Sequence, residues 1–341
     1  MNIVRISIDK VKPGMIAAVD VISCGKLVVG INEILTDNII QTLKNNGFTS
    51  VPVKAKKTSS YINEGSDIDK NIINVKNPIS IEEISLDFQK QVDNFKSQLN
   101  ALLKGNKEID VDNLLNNIKY ITDKVQNPFE LIEVMDKTKK FDASTYVHSL
   151  NVALVGMVLA EWVNLPAEDI KKVALAGLLH DIGKMLIPKR ILNKPGKLTE
   201  LEFEIMKQHS LLGYTLVKNL DIPMEVKLAV LQHHEKCDGS GYPYGLKREE
   251  INDISKIITI ADIYDAMTSV RCYREPICPL EVMQILEVDG VKKYETKFLF
   301  PFFKGIAQNY IHKTVESSNG EIGEVVMMHK HDIARPLIKN K

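Results

Sequence analysis

The segment Ala174-Leu-Ala-Gly-Leu-Leu-His-Asp-Ile-Gly-Lys184 ends an apolar run on a histidine and an aspartate. A stretch that is apolar on nearly every side belongs to a buried helix. Ending such a helix on an imidazole and a carboxylate is costly unless something satisfies both groups. A metal ion does so: imidazole nitrogen and carboxylate oxygen are its natural ligands, and one carboxylate can bridge two ions. Gly183 would permit a sharp chain reversal that lets neighbouring side chains converge. Taken alone, His180 could equally well cap the helix C-terminus, where a cation is favoured.

The remaining histidines change that balance. Five of the eight fall in one helical zone: His148, His180, His209, His233 and His234. His148 lies at the edge of a stripe formed by Val147, Leu150, Leu154, Val158 and Trp162. His209 follows a capping box, Thr199 with Glu202, and Gly213 one turn later would allow close helix approach. His233 and His234 close the helix that precedes them, and Asp262 sits within the apolar run Ile257 to Ala266. Each residue singly could be a satisfied core polar group. Five histidines and two aspartates on separate apolar helices or helix ends point to a shared ligand. His312, His329 and His331 stand among polar residues and read as surface groups.

The periodicity makes the chain mainly α. A small α+β module is expected over 1–55, with a strand from Lys26 to Ile31, a turn at Asn46-Gly47 and a short helix from Thr36 to Lys44. A polar linker follows over 56–78, then a helical connector over 79–140 in which Ile84, Phe88, Val92, Phe95 and Leu99 recur at helical spacing. That connector could pair with another copy of the chain to make a homodimer, or pack on its own domain. The helical bundle spans 141–314, and a short C-terminal β-hairpin is expected over 315–341, after a turn at Ser318-Asn319-Gly320.

Lysine and arginine together number 44, as do aspartate and glutamate. That balance provides no overall field for a nucleic-acid polymer or an anionic membrane, so an anionic ligand must be held by a local cluster. The longest apolar run, Val152 to Ala160, falls short of the ~20 residues of a membrane span. Cys24, Cys237, Cys272 and Cys278 lack paired metal spacing and read as reduced thiols. A cytoplasmic protein without membrane insertion is expected.

In order, the motifs are His148, His180-Asp181 with Gly183-Lys184, His209, His233-His234-Glu235, Asp238-Gly-Ser-Gly-Tyr-Pro243, Asp262-Ile-Tyr-Asp-Ala-Met-Thr268 and Arg271-Cys-Tyr-Arg274. This series resembles the HD-GYP domain, a branch of the HD phosphohydrolases, over about Asp142 to Ile306. The resemblance implies an HD-type helical bundle that hydrolyses cyclic di-GMP to linear pGpG, or on to GMP after a second cut. It implies metal ligands at His148, His180, Asp181, His209, His233, His234 and Asp262, with Asp181 bridging. Lys184, Arg271 and Arg274 match positions that bind phosphate, and Gly241, Tyr242 and Pro243 match the loop that shapes the pocket. Three-metal members carry a glutamate where this chain has Ser144, so two ions are expected. They are expected to be iron or manganese; zinc and nickel also suit the donors. A receptor that binds cyclic di-GMP with little turnover, and a phosphohydrolase of another nucleotide, are the competing readings.

Several neighbours carry blander expectations. Glu235 reads either as a group that orients an imidazole or as a solvated helix end. Asp238 reads as the anchor of its glycine-rich turn. Tyr242 is expected to pack the turn more than to stack on a base. Asp265 is expected to hold the Arg271 region or a helix end.

Overall fold

A computed structural model describes residues 3–18, 21–23, 26–45, 48, 50–54, 81–103, 110–125, 130–132, 134–135, 145–269, 276–316, 320–329 and 332–340. The expected linker over 56–78, the Asn46-Gly47 turn, Ser144, Cys24, Cys272, His331 and both candidate arginines, Arg271 and Arg274, lie outside the described residues. The chain divides into two units. One comprises Met1–Ile81 with Lys124–Leu131; the other comprises Glu82–Asp123 with Ile132–Lys341.

In the first unit, strand β1 (Ile3–Ser7) pairs antiparallel with β4 (Ser50–Lys54), and β2 (Val21–Ser23) pairs with β3 (Lys26–Val29). Helix α1 (Asp37–Asn45) begins after Thr36, whose hydroxyl accepts the Ile39 N–H at 3.3 Å. Satisfying an otherwise orphaned first-turn donor is what an N-cap residue does. Val21, Val29, Leu35, Leu43, Phe48, Val51 and Val53 close this small core. The expected α+β module is present.

In the second unit, α2 (Ile81–Leu103) buries Phe88, Val92, Phe95 and Leu99, and α3 (Val111–Thr122) follows, capped by Asp110. Helices α4 (Thr145–Trp162) and α5 (Ala167–Leu179) pack on each other. The structure departs from the expected stripe on α4: Val147 to Gly156, Val158, Leu159 and Ala160 are all buried. Neighbouring helices cover more than one side of α4, so a helix apolar all round sits in the middle of the bundle.

A 3₁₀ turn over Ile182–Leu186 and the short α6 (Lys189–Leu192) lead to α7 (Glu200–Lys207), α8 (His209–Val217), α9 (Met224–Gln232) and α10 (Asp253–Thr268). Helices α11 (Pro279–Lys293) and α12 (Thr296–Gln308) complete the bundle. The C-terminal segment is more than the expected hairpin. Strands β6 (Ile322–His329) and β7 (Asp332–Asn340) form it, and β5 (Thr314–Glu316) adds a third antiparallel strand on the free edge of β6. Among the described residues no helix is long and apolar enough to cross a membrane.

Helix α7 buries none of its side chains, so its ends carry unusual weight. Thr199 Oγ1 accepts the Glu202 N–H at 3.3 Å, while the Glu202 carboxylate accepts the Thr199 N–H at 2.8 Å. The Lys194 ammonium also pairs with that carboxylate, and it and the Thr199 donors hold the Glu202 carboxyl down at about 2. Replacing Thr199 by alanine is expected to cost about 1 kcal/mol in urea unfolding, whereas Thr199→Ser should cost a few tenths at most.

Candidate metal centre

Asp181 stands at the end of α5 with both carboxylate oxygens buried and facing different histidines. Its Oδ2 lies 3.3 Å from His180 Nε2 and 3.5 Å from His148 Nε2. Its Oδ1 lies 3.4 Å from His209 Nε2 and 3.8 Å from His233 Nε2. Asp262, on α10, reaches His148 Nε2 at 3.0 Å and His234 Nδ1 at 3.8 Å. The seven side chains form two ligand groups whose donor atoms lie within 4.8 Å of one another: Asp181, His209, His233 and His234 in one, and His148, His180 and Asp262 in the other. All seven residues expected from the sequence thus converge, from α4, the ends of α5 and α9, the start of α8, and α10.

The outer nitrogen of four histidines is tied down. Nδ1 of His180 meets the Gly177 carbonyl at 2.8 Å, and Nδ1 of His209 meets the Met206 carbonyl at 2.8 Å. Nδ1 of His233 meets the Val230 carbonyl at 3.0 Å. A carbonyl only accepts, so each Nδ1 carries the hydrogen and each Nε2 points its lone pair inward. His148 follows the same logic with a carboxylate: its Nδ1 lies 2.7 Å from Asp265 Oδ2. Asn151 Nδ2 donates to Asp265 Oδ1 at 3.0 Å, which holds that carboxylate in turn. Such outer partners orient metal-binding imidazoles and raise their basicity.

This arrangement fits a cation and suits little else. His209 Nε2 and His233 Nε2 lie 3.1 Å apart, and with both outer nitrogens protonated two lone pairs oppose each other there. His180 Nε2 and Asp181 Oδ1 are buried and find no hydrogen-bond partner among the described residues. Buried acceptors without a partner are costly, and a positive ion between them removes the cost.

The electrostatics agree. Burial lowers His209 to about 4 and His234 to about 3, and it drives His233 well below its usual value. These rings are neutral at pH 7, as ligands must be. Burial also opposes charge on His148, but the Asp262 and Asp265 carboxylates outweigh it and raise that ring to about 9. Burial pushes Asp181 up, yet His180 and Lys184 pull it further down, so it stays ionised. Asp262 is ionised by the same contest, with His148 as its chief partner.

Around this cluster, Lys184 Nζ lies 2.5 Å from Asp181 Oδ2 and stays partly exposed. Gly183, beside it, lies in the 3₁₀ turn without a left-handed backbone. The expected chain reversal is therefore not its reason. A Cβ there would lie 1.9 Å from the His209 carbonyl oxygen and 2.5 Å from the Gly213 nitrogen, so close approach of the two backbones demands glycine. Gly213 serves the same contact from the other side, as expected.

The Asp238–Pro243 loop lies against His234. Tyr242 stacks on the His234 ring, with centroids 4.6 Å apart. A Cβ on Gly241 would meet the His234 carbonyl oxygen at 2.5 Å. Pro243 follows Tyr242 through a cis peptide bond. Asp238 anchors the turn as expected, accepting the Ser240 N–H at 2.9 Å.

Glu235 is neither a solvated helix end nor an imidazole partner. It is buried, and its two oxygens accept the Tyr244 N–H at 2.7 Å and the Leu246 N–H at 2.9 Å, which pins the loop. Its adjacency to the double histidine gave no sign of partners nine and eleven residues away. Asp265 faces His148, which the sequence reading missed; the only available signal was its spacing of three from Asp262, which puts both carboxylates on one helix face.

Comparison with known proteins agrees with this geometry. A family model described as HD domain matches residues 130–297. The cyclic di-GMP phosphodiesterase PA4108 of Pseudomonas aeruginosa is 34% identical over 219 residues, covering 63% of this chain and 52% of that protein. A cyclic di-GMP phosphodiesterase of Thermotoga maritima is 38% identical over 180 residues, covering 52% and 49%. The 3'3'-cGAMP-specific phosphodiesterase 1 of Vibrio cholerae is 41% identical over 157 residues, covering 46% and 36%. The chain spans about half the length, or less, of these curated relatives. The matched segment contains all seven converging side chains, and over it the chain is similar to the HD domain family.

Proposed function

We propose that the chain is a metal-dependent phosphodiesterase that hydrolyses cyclic di-GMP to linear pGpG in the cytoplasm. The observation that carries this reading is Asp181, whose two oxygens each face the nitrogens of a different histidine pair. A carboxylate so placed can bridge two cations. We assign one ion to Asp181, His209, His233 and His234, and the other to His148, His180 and Asp262, with Asp181 shared. Iron or manganese suits this nitrogen-rich set better than magnesium, which prefers oxygen and retained water.

Bound there, a pair of ions would acidify a water toward neutral pH and offset charge on the phosphate. The protein's own part is positional. The carbonyls of Gly177, Met206 and Val230 hold three rings with their lone pairs inward, so no ring has to turn during the reaction. The Lys184 ammonium, partly exposed above Asp181, is placed to offset negative charge on a phosphate oxygen. Glu235 holds the loop that carries Tyr242 at the rim of the site. Arg271 and Arg274 are assigned to phosphate on their motif alone.

The decisive measurement is turnover of cyclic di-GMP by anaerobically purified protein supplied with Mn²⁺ or Fe²⁺, with pGpG as the expected product. Binding without consumption would sink the enzymatic reading. The similarity to a cGAMP-specific phosphodiesterase supports a second reading, in which the mixed dinucleotide is the substrate. Comparing kcat/KM for the two cyclic dinucleotides decides between them.

Metal affinity should depend on pH with a definite sign. Below about 9 His148 carries a proton that an entering ion must displace, while His209, at about 4, and His234, at about 3, are already neutral. Affinity is therefore expected to rise with pH by about one logarithmic unit per pH unit between pH 6 and 9, and then to level off. Chelator-competition titrations across that range check the slope.

A further inference from the structure

We infer that Phe203, flanked by Lys207, is a seat for a nucleobase of the substrate. Phe203 lies on α7, the helix none of whose residues is buried, and is itself 48% exposed. A single exposed phenylalanine is ordinary on a protein surface. This one continues a series of rings that starts inside the metal centre. His234, a proposed ligand, stacks on Tyr242 with centroids 4.6 Å apart. Tyr242 in turn meets Phe203 edge to face at 6.5 Å. One aromatic ring thus separates an open phenylalanine from a candidate metal ligand.

The charge beside it is also suggestive. Lys207 Nζ lies 5.5 Å from the Phe203 ring centre and 5.9 Å from that of Tyr242. It also pairs with Glu204, at 2.5 Å on the same helix, and the Glu204 carboxylate is largely exposed. An ammonium over an aromatic face is the environment in which a heterocycle both stacks and finds a donor. Guanine offers O6 and N7 as neighbouring acceptors for such a donor. Tyr242 is stacked on His234 and meets Phe203 at a steep angle, while Phe203 itself stays about half exposed.

The inference rests on the proposed cyclic-dinucleotide substrate, whose base lies one sugar away from the phosphate. It adds a residue outside every motif in the chain. The role is one of binding: a stacked base contributes equally to ground state and transition state, so KM should carry the effect and kcat should not.

The test uses the full chain loaded with Mn²⁺. Phe203→Ala is expected to raise KM for cyclic di-GMP on the order of tenfold, with kcat unchanged and with the Ki of inorganic phosphate unchanged. Phe203→Tyr, which keeps a ring, should restore most of the affinity. No side chain of α7 is buried, so the substitutions leave the core intact. An unchanged KM in Phe203→Ala overturns the inference. So does a parallel loss of phosphate affinity, which would mark Phe203 as a support for the centre and not a base seat. If the wild-type protein binds cyclic di-GMP without turnover, only the enzymatic reading fails, and equilibrium dialysis of the same variants decides on Phe203. A wild-type protein that neither binds nor hydrolyses it removes both.

Discussion

Asp181→Asn is expected to abolish turnover and to empty the metal centre at the same time. The substitution preserves shape, so the end of α5 keeps its packing. It changes what faces the histidines. One oxygen becomes an amide group with two hydrogens, and the remaining oxygen loses its full charge. In the native protein both oxygens are within 3.8 Å of imidazole nitrogens whose partners hold their lone pairs inward. The variant can satisfy one pair of histidines with its amide hydrogens, and in doing so it blocks the place where a cation would sit. Turnover should fall by at least about a thousandfold, near 4 kcal/mol of barrier. Metal content of anaerobically purified protein, read by mass spectrometry, should fall with it. Far-ultraviolet dichroism should match the wild type, and thermal stability without metal at pH 7 should be equal or lower, because the Lys184 ammonium loses the ionised carboxylate that the fold holds against it. A variant that kept both ions and a substantial fraction of activity would remove Asp181 from the bridging role.

Gly183→Ala should produce the largest structural loss. A Cβ at that position would sit 1.9 Å from the His209 carbonyl oxygen, 2.5 Å from the Gly213 nitrogen and 2.8 Å from the His209 carbonyl carbon. All three are backbone atoms, so no side chain can swing aside. The 3₁₀ turn and the start of α8 must separate, and they carry Lys184 and His209 respectively. Overpacking of this severity is expected to cost at least about 3 kcal/mol. The urea midpoint should drop at unchanged slope, and the melting temperature should fall by roughly 6–12 °C. Metal affinity should weaken too, because His209 moves relative to Asp181, at present 3.4 Å away. An unfolding midpoint within experimental scatter of the wild type would show that the two backbones have slack there.

Much of the centre was legible because its chemistry has no cheap alternative. Five histidines and two aspartates on apolar helices must be satisfied by something, and their order along the chain narrows what that is. The helix start after Thr36, the capping box at Thr199 and the anchoring of Asp238 were legible for a local reason: each depends on residues within a few positions. The reading failed where the partner is distant. Glu235 accepts from Tyr244 and Leu246, beyond two turns of chain that include a cis peptide bond. Strand β5 joins β6 through an edge that periodicity does not reveal. The role of Gly183 was read as conformational, but it is steric and set by a helix some thirty residues later.

The sequence by itself determined which donors are available, that they lie on buried helices, and that the bundle is mainly α. Side-chain chemistry and the 3.6-residue period are local properties, so composition and spacing suffice for them. Tertiary structure alone decided how those donors divide into two groups around Asp181, which nitrogen of each ring faces inward, and that Asp265 stands behind His148. These depend on distances between helices that pack against one another. A lone pair has a direction only once the carbonyl or carboxylate behind the ring has been brought to it.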